Sequence, residues 1–252
     1  MTEKIQETEI KKTRLRLSER LKLVASFVPE GSRIADIGTD HGYVPIYLAE
    51  IGKIKSALAM DVRKGPLARA DEHIEEYRHD VGDAAISIET RLSNGLEKLQ
   101  AKEADTVIIA GMGGELMLRI LRDGAHMYDS VKHYVLSPQS ELSAFRHGLE
   151  KLGISILEEQ MLMDEGKYYV ILHAAPGSMH YEQEYEYRYG SDLIQKQDPV
   201  LREFLERELA QGEELLAHLS LTQTEGAQKR AESLRQALNE TKEAYHALQG
   251  TD

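Results

Sequence analysis

The period of the apolar positions changes along the chain, and each change marks an element. Residues 14–28 carry Leu15, Leu17, Leu21, Leu23, Val24 and Phe27 at helical spacing and stop at Pro29 and Gly31, which predicts an opening helix. Short apolar runs then alternate with amphipathic stretches. Residues 33–37, 55–61, 85–90, 105–110 and 132–136 read as strands, and 43–52, 66–80, 115–121 and 140–152 as helices between them. Pro66 suits the first turn of its helix, where Leu67, Ala70, Ile74 and Tyr77 share a face. Residues 154–163 and 167–173 are two more strands, joined by Asp164-Glu165-Gly166, short enough for a hairpin. The predicted fold is α/β: a doubly wound sheet of five strand-helix units closed by a β-hairpin.

Beyond residue 176 the pattern is different. Residues 177–190 are rich in Tyr and Glu and read as a linker. Their tyrosines could stack on splayed bases or pack against the domain, and the interleaved glutamates, which repel phosphate, favour packing. From Asp198 the period is helical throughout. Leu201, Leu205, Leu209, Gly212, Leu216 and Leu219 step by fours and threes, as do Ala227, Ala231, Leu234, Leu238, Thr241, Tyr245 and Leu248. Thr222 and Glu225 have the spacing of a capping box between them. This predicts an antiparallel helical hairpin of coiled-coil type. The domain reading is a flexible N-terminus at 1–13, an α/β domain at 14–176, and linker plus hairpin at 177–252.

The stretch Asp36-Ile37-Gly38-Thr39-Asp40-His41-Gly42 closes the first strand and opens the first crossover helix. In a doubly wound sheet, ligands bind beyond the carboxyl ends of the strands where strand order reverses, and the first strand borders that point. A dinucleotide fingerprint needs G-x-G-x-x-G so that pyrophosphate can approach backbone amides. Here the glycines are spaced Gly38-x-x-x-Gly42, with carboxylates at Asp36 and Asp40. Two carboxylates repel a pyrophosphate and attract a cationic amino group or sulfonium. S-adenosylmethionine (SAM) fits the turn better than a nicotinamide dinucleotide, and five strand-helix units plus a β-hairpin is the order of the class I SAM-dependent methyltransferase (Rossmann-like) fold. A plain turn that binds nothing is the competing reading, and His41 has a structural alternative as a turn cap.

Further along, Asp61 ends the second strand about 20 residues on, where an acid accepts from ribose hydroxyls. Asn94 and Gly95 follow the third strand, where the adenine rim would lie, or form an ordinary Asn-Gly turn. The fourth strand runs into Ala110-Gly111-Met112-Gly113-Gly114, a run that implies unusual backbone or close approach of another molecule. Ser137-Pro138-Gln139 closes the fifth strand.

Composition narrows the classes. The 252 residues carry a net charge of −12, which argues against whole-surface attraction to nucleic acid without excluding a local basic patch. The most basic segment holds Lys11, Lys12, Arg14, Arg16, Arg20 and Lys22, either a solvated helix face or a phosphate-contacting patch. Cysteine is absent, which excludes disulfides and thiolate metal sites, and the scattered histidines imply no metal. No apolar run approaches the roughly 20 residues of a membrane span, and residues 1–12 lack a signal-peptide core, so a cytoplasmic protein is expected.

The segments 35–45, 109–114 and 136–139 resemble the bacterial TrmK family, tRNA (adenine-N1)-methyltransferases that modify the adenine at position 22. The resemblance covers roughly residues 15–175. It implies that Asp36, Gly38, Asp40, His41 and Gly42 line the methionine end of SAM, that Asp61 holds its ribose and that Asn94 and Gly95 flank its adenine. It implies further that Ala110, Gly111, Met112, Gly113 and Gly114 shape the meeting place of target base and methyl group, with Ser137, Pro138 and Gln139 across from it. Asn94 stands where relatives often carry an acid, and Leu-Ser-Pro-Gln where Leu-Gln-Pro-Asn is commoner. By the same resemblance Lys229, Arg230 and Arg235 of the hairpin help hold tRNA. The chemistry needs the base flipped out and N1 aimed, because N1 already carries a lone pair; Asp40 is the candidate acceptor for the exocyclic N6–H. A monomer or weak dimer is expected. Two other readings stay open: a SAM-binding regulatory protein that transfers nothing, and a methyltransferase acting on protein or small molecules.

Overall fold

Ser18 sets the start of the first helix: its Oγ accepts the Leu21 N–H at 3.3 Å, so α1 runs Glu19–Ser26. The expected start at residue 14 is therefore too early, and Leu17 is buried ahead of the helix, not on it. A computed structural model describes residues 15–221 and 224–250; Arg14, residues 1–13 and Thr222 lie outside the described residues.

From there strands and helices alternate as the apolar period predicts: β1 Ser32–Ile37, α2 Tyr43–Glu50, β2 Ile54–Asp61, α3 Lys64–Val81, β3 Ser87–Leu92, β4 Thr106–Ala110, α4 Gly114–Asp123, β5 His133–Ser137, α5 Leu142–Lys151, β6 Ile154–Asp164 and β7 Lys167–Pro176. The sheet is seven-stranded in the order β3-β2-β1-β4-β5-β7-β6. β1 is parallel to β2 on one side and to β4 on the other, which makes the β1/β4 junction the point where strand order reverses. β6 and β7 pair antiparallel around a two-residue turn, Glu165 and Gly166, both at positive φ.

By contacts the chain divides into two compact units, 1–110 with 123–135 and 111–122 with 136–252. In the first, Ile34, Ala35, Ala59, Met60, Val107, Ile108 and Ile109 are buried. Such unbroken apolar strands are what a parallel sheet covered on both faces requires.

The second unit holds β6, β7 and the helical tail. The segment read as a linker contains α6 Glu184–Tyr189, followed by α7 Ser191–Gln195. Gln183 and Glu186 form a reciprocal capping box at the start of α6, a local cue hidden among the repeated glutamates. Tyr187 and Tyr189 are buried, so packing is their role in the structure. Both helices pack around a buried ion pair. Arg146, fully buried on α5, donates from Nε to Glu159 Oε1 at 2.7 Å and from Nη1 to the carbonyls of Tyr187 and Arg188. The Glu159 N–H donates to Asp192 of α7 at 2.7 Å. Burial pushes the Glu159 carboxyl up, with Arg146 pulling the other way.

α8 Pro199–Ser220 begins under an Asp198 cap that accepts the Val200 and Leu201 N–H groups, both at 2.9 Å. α9 Glu225–Gln249 is capped by Thr224, whose Oγ1 accepts the Ala227 N–H at 3.3 Å. The two helices form the predicted hairpin, with Gly212 allowing Leu238 against the α8 backbone. On α9 the buried stripe is Ala231, Leu238, Thr241, Ala244 and Leu248; Ala244 takes the position expected of Tyr245, whose hydroxyl instead donates to Glu206 at 2.8 Å.

Candidate active site

The turn after β1 is bent by two glycines in the left-handed region, Gly38 at φ 75° and Gly42 at φ 73°, with Asp40 between them at φ 52°. A side chain at Gly42 would also press on Ala70 of α3, its Cβ 3.3 Å away. The Gly38 and Thr39 N–H groups both donate to the Met60 carbonyl of β2, at 2.7 and 3.1 Å. These amides are consumed within the sheet, so they cannot cradle a pyrophosphate, which agrees with the reading from the acids.

Asp36, the last polar residue of β1, is 5% exposed. Burial raises its carboxyl to about 6; the nearby Thr39 hydroxyl, close enough to favour the charged form but short of full hydrogen-bond geometry, opposes the rise and the charge of Asp61 adds to it. Asp61, equally buried at the end of β2, accepts the Arg63 N–H on Oδ1 at 2.8 Å, and the Arg63 Nε lies 3.7 Å from the same oxygen. Thr39 Oγ1 and His41 Nδ1 are buried without a hydrogen-bond partner among the described residues. Buried polar atoms are normally satisfied, so these two are available to a bound group or to ordered water. The His41 ring stacks on Tyr43 with centroids 5.1 Å apart, and Tyr43 stacks on His73, whose Nδ1 meets the His41 carbonyl at 2.9 Å. His41 Nε2 lies 3.5 Å from the exposed Asp40 carboxylate. The sequence pointed to His41 but gave no role to its aromatic neighbours, because Tyr43, though within segment 35–45, and His73 have no charge or spacing that marks a ligand contact.

Asn94 is exposed in a tight turn held by Ser93, whose buried hydroxyl donates to the Gly95 carbonyl at 2.9 Å and accepts the Lys98 N–H at 3.2 Å. Ser93 was not singled out in the sequence, and Gly95, at φ 56°, turns the chain there.

The second unit contains the corner after β4. The Gly111 N–H donates to the Ser137 carbonyl at 3.2 Å and the Gln139 N–H to the Met112 carbonyl at 2.9 Å, so residues 111–112 and 137–139 lie side by side. Ser137 and Pro138 are buried and Gln139 is exposed; Ser137 Oγ has no partner among the described residues. Gly113 and Gly114 are not at positive φ. A Cβ on Gly114 would fall 2.7 Å from the Ser140 carbonyl, and one on Gly113 would fall 3.0 Å from Ser140 Oγ. Gly114 therefore has a packing reason to be glycine, where the sequence suggested room for a substrate. Of the basic segment, Arg16 and Lys22 are exposed, Lys22 pairs with Glu19 at 2.6 Å and Arg20 is half-buried.

Carboxylates at two adjacent strand ends, with a hydroxyl and an imidazole nitrogen awaiting partners, suit a ligand with a positive centre and ribose hydroxyls. The residues fit SAM.

Comparison with known proteins points the same way. Residues 17–172 match the methyltransferase-domain family model. The Bacillus subtilis tRNA (adenine(22)-N(1))-methyltransferase is 34% identical over 163 residues, 65% of this chain and 66% of that protein. Among solved structures, Streptococcus pneumoniae Sp1610 in complex with SAM is 33% identical with a TM-score of 0.79, covering 92% of this chain and 100% of that one. M. capricolum TrmK bound to S-adenosyl-homocysteine is 27% identical with a TM-score of 0.76, covering 92% and 99%.

Proposed function

The chain belongs to the SAM-dependent tRNA (adenine(22)-N(1))-methyltransferases, and from that membership we propose that it places a methyl group on N1 of adenine 22 in tRNA. The observation that carries the cofactor reading is the turn after β1, where His41 Nδ1 is buried without a hydrogen-bond partner among the described residues and the carboxylate of Asp36 is buried at the strand end.

When bound, SAM supplies an electrophilic methyl group on a sulfonium. The buried carboxylate of Asp36 complements its positive charge, Thr39 and His41 offer hydrogen bonds, and Asp61 receives the ribose hydroxyls. Adenine N1 is already a nucleophile at neutral pH, so no residue has to remove a proton from it. The chain's task is to hold the base out of its stack, aim N1 and exclude water. Asp40, exposed and at positive φ, is the acceptor for the exocyclic N6–H, which raises electron density at N1 and stabilises the cationic product. The corner 111–114 and the bonded segment 137–139 receive the target base, and the unpartnered Ser137 Oγ is available to it. Arg16, Arg20 and Lys22 contact tRNA phosphate, with Lys229, Arg230 and Arg235 of the hairpin as further contacts. Action on tRNA places the protein in the cytoplasm; among the described residues no helix is long and apolar enough to cross a membrane.

A transfer assay with tritiated SAM and bulk tRNA, followed by nucleoside mapping, tests the reading. Label in 1-methyladenosine at position 22 is expected. SAM binding with no transfer to any RNA would instead make the chain a SAM-binding regulator.

A further inference from the structure

The second unit carries a groove of about 540 Å³ between the β6–β7 turn and one face of α8, walled by Gln139, Lys167, Tyr168, Tyr169, Phe204 and Arg207. The turn fixes one wall. With Glu165 and Gly166 both in the left-handed region, the hairpin closes in two residues and Asp164 pairs with Lys167, so Lys167 is held at the first position of β7 with the two tyrosines next. On the facing helix Phe204 and Arg207 are three residues apart and share a side. Tyr168 and Phe204 meet edge to face with centroids 5.1 Å apart, and the Tyr168 hydroxyl donates to Glu203 at 2.9 Å.

Charge makes this groove unusual in an acidic chain. Four cations elsewhere in the tail are matched within it, Lys229 with Glu225, Arg235 with Glu232, Lys242 with Glu213 and Arg188 with Glu240, while Arg202 and Arg230 have no ion-pair partner among the described residues. Lys167 and Arg207 are exposed and have no ion-pair partner among the described residues. Two acids stand near the cations: Glu208, which lines the groove and is held by the Tyr189 hydroxyl at 2.8 Å and by Arg188 at 4.0 Å, and Glu203, which accepts from Tyr168. Aromatic side chains and two unmatched cations lining one groove suit one unstacked nucleotide: the base has rings to lie against and its phosphate two positive charges. Gln139 adds an amide that can donate to and accept from a base edge. Its own N–H is bonded to the Met112 carbonyl, which ties this wall to the glycine corner assigned to the target adenine.

We propose that the groove is a second RNA subsite, holding a single unstacked nucleotide that flanks the target adenine, with its base on Tyr168, Tyr169 and Phe204 and its phosphate between Lys167 and Arg207. The proposal rests on the tRNA reading and deepens it.

Titrating the full chain with bulk tRNA over a range of salt, with SAM affinity and Tm measured in parallel, tests it. Lys167→Gln/Arg207→Gln keeps the side-chain stems and removes both charges. It is expected to weaken tRNA binding about tenfold and flatten the salt slope by one to two, leaving SAM affinity and Tm unchanged. Tyr169→Leu is expected to weaken tRNA binding about fivefold or more with no change in slope, because stacking is lost and no charge is. A double variant with wild-type affinity and slope, while the wild-type chain methylates tRNA, overturns the subsite and leaves the function standing. A wild-type chain that neither binds nor methylates tRNA overturns both.

Discussion

Two strand ends in this protein are rich in glycine for different physical reasons. After β1, Gly38 and Gly42 are glycine because the backbone is left-handed there, a conformation that costs an ordinary residue roughly 1–2 kcal/mol. After β4, Gly113 and Gly114 have ordinary φ and are glycine because Ser140 at the mouth of α5 leaves little room for a Cβ. The first pair shapes a turn that holds the buried Thr39 Oγ1 and His41 Nδ1; the second pair lets two loops of the same unit close on each other. Glycine in a sequence reports that something is needed at that position, while the coordinates report what.

The comparison is open to experiment, and its largest expected consequence lies at the β4 corner. Gly113→Val should cut methyl transfer about a hundredfold, the scale expected when reacting groups are displaced by an ångström, with SAM affinity near normal. Ser140→Ala in the same background sharpens the reading: recovery of the rate would mean that crowding against Ser140 was the whole effect, and a persistent loss that the base itself needs the space. Gly114→Ala should act on stability first, lowering it by about 1–3 kcal/mol in a thermal melt, because a backbone carbonyl cannot swing aside as a hydroxyl can.

At the β1 side, Asp61→Ala should weaken SAM binding by about 1–3 kcal/mol, through loss of a charged acceptor for hydroxyls. Unchanged affinity in titration would remove Asp61 from the site. Gly42→Ala should cost about 1–2 kcal/mol of stability from the left-handed backbone, with the Ala70 contact adding to it. A melt indistinguishable from wild type would show that Asp40 and Gly42 do not need their turn.

Asp36 gives a pH test. Its folded carboxyl sits near 6 against an ordinary 3.8, so the folded chain holds that proton more tightly than the unfolded chain does. The stability this gives is present in acid and is lost as pH rises from about 4 through about 6. A cationic ligand needs the ionised form. SAM affinity should therefore fall as pH drops below about 6, by at most tenfold per pH unit, and Asp36→Asn should flatten that dependence. A wild-type profile level down to pH 5 would separate Asp36 from the ligand.

The smallest effect is expected outside both glycine sites. Arg16→Ala with Lys22→Ala should flatten the salt dependence of tRNA binding by up to roughly two, and by less if the Lys22–Glu19 pair already spends one of those charges. An unaltered slope would return this segment to the status of a solvated face.

Much of the fold was readable because its cues are local. Seven strands and their helices follow from apolar period, and the bend at Glu165-Gly166 from turn chemistry. Boundaries shifted where a single hydrogen bond decided them, as Ser18 did for α1 and Thr224 for α9. The linker was misread because the capping box at Gln183 and Glu186 lies in a run, residues 181–189, where all but Gln183 and Arg188 are acidic or aromatic. At the candidate site, Asp36, Asp61 and the Gly38–Gly42 turn stood out by spacing. Thr39, Ser93, Tyr43 and His73 did not, because what sets them apart is burial and missing or completed hydrogen bonds.

By itself the sequence determined the alternation of strand and helix, the preference for a cationic cofactor over a pyrophosphate, and the helical hairpin, because period, sterics and charge sign act between near neighbours. Only the tertiary structure decided the rest. It buried Asp36 beside Asp61 and so raised its carboxyl, set Ser140 against Gly113 and Gly114, enclosed Arg146 and Glu159 among the tail helices, and brought Lys167 and Arg207 to one groove. Each depends on groups distant in the chain, whose interaction comes into being only when folding removes the water between them.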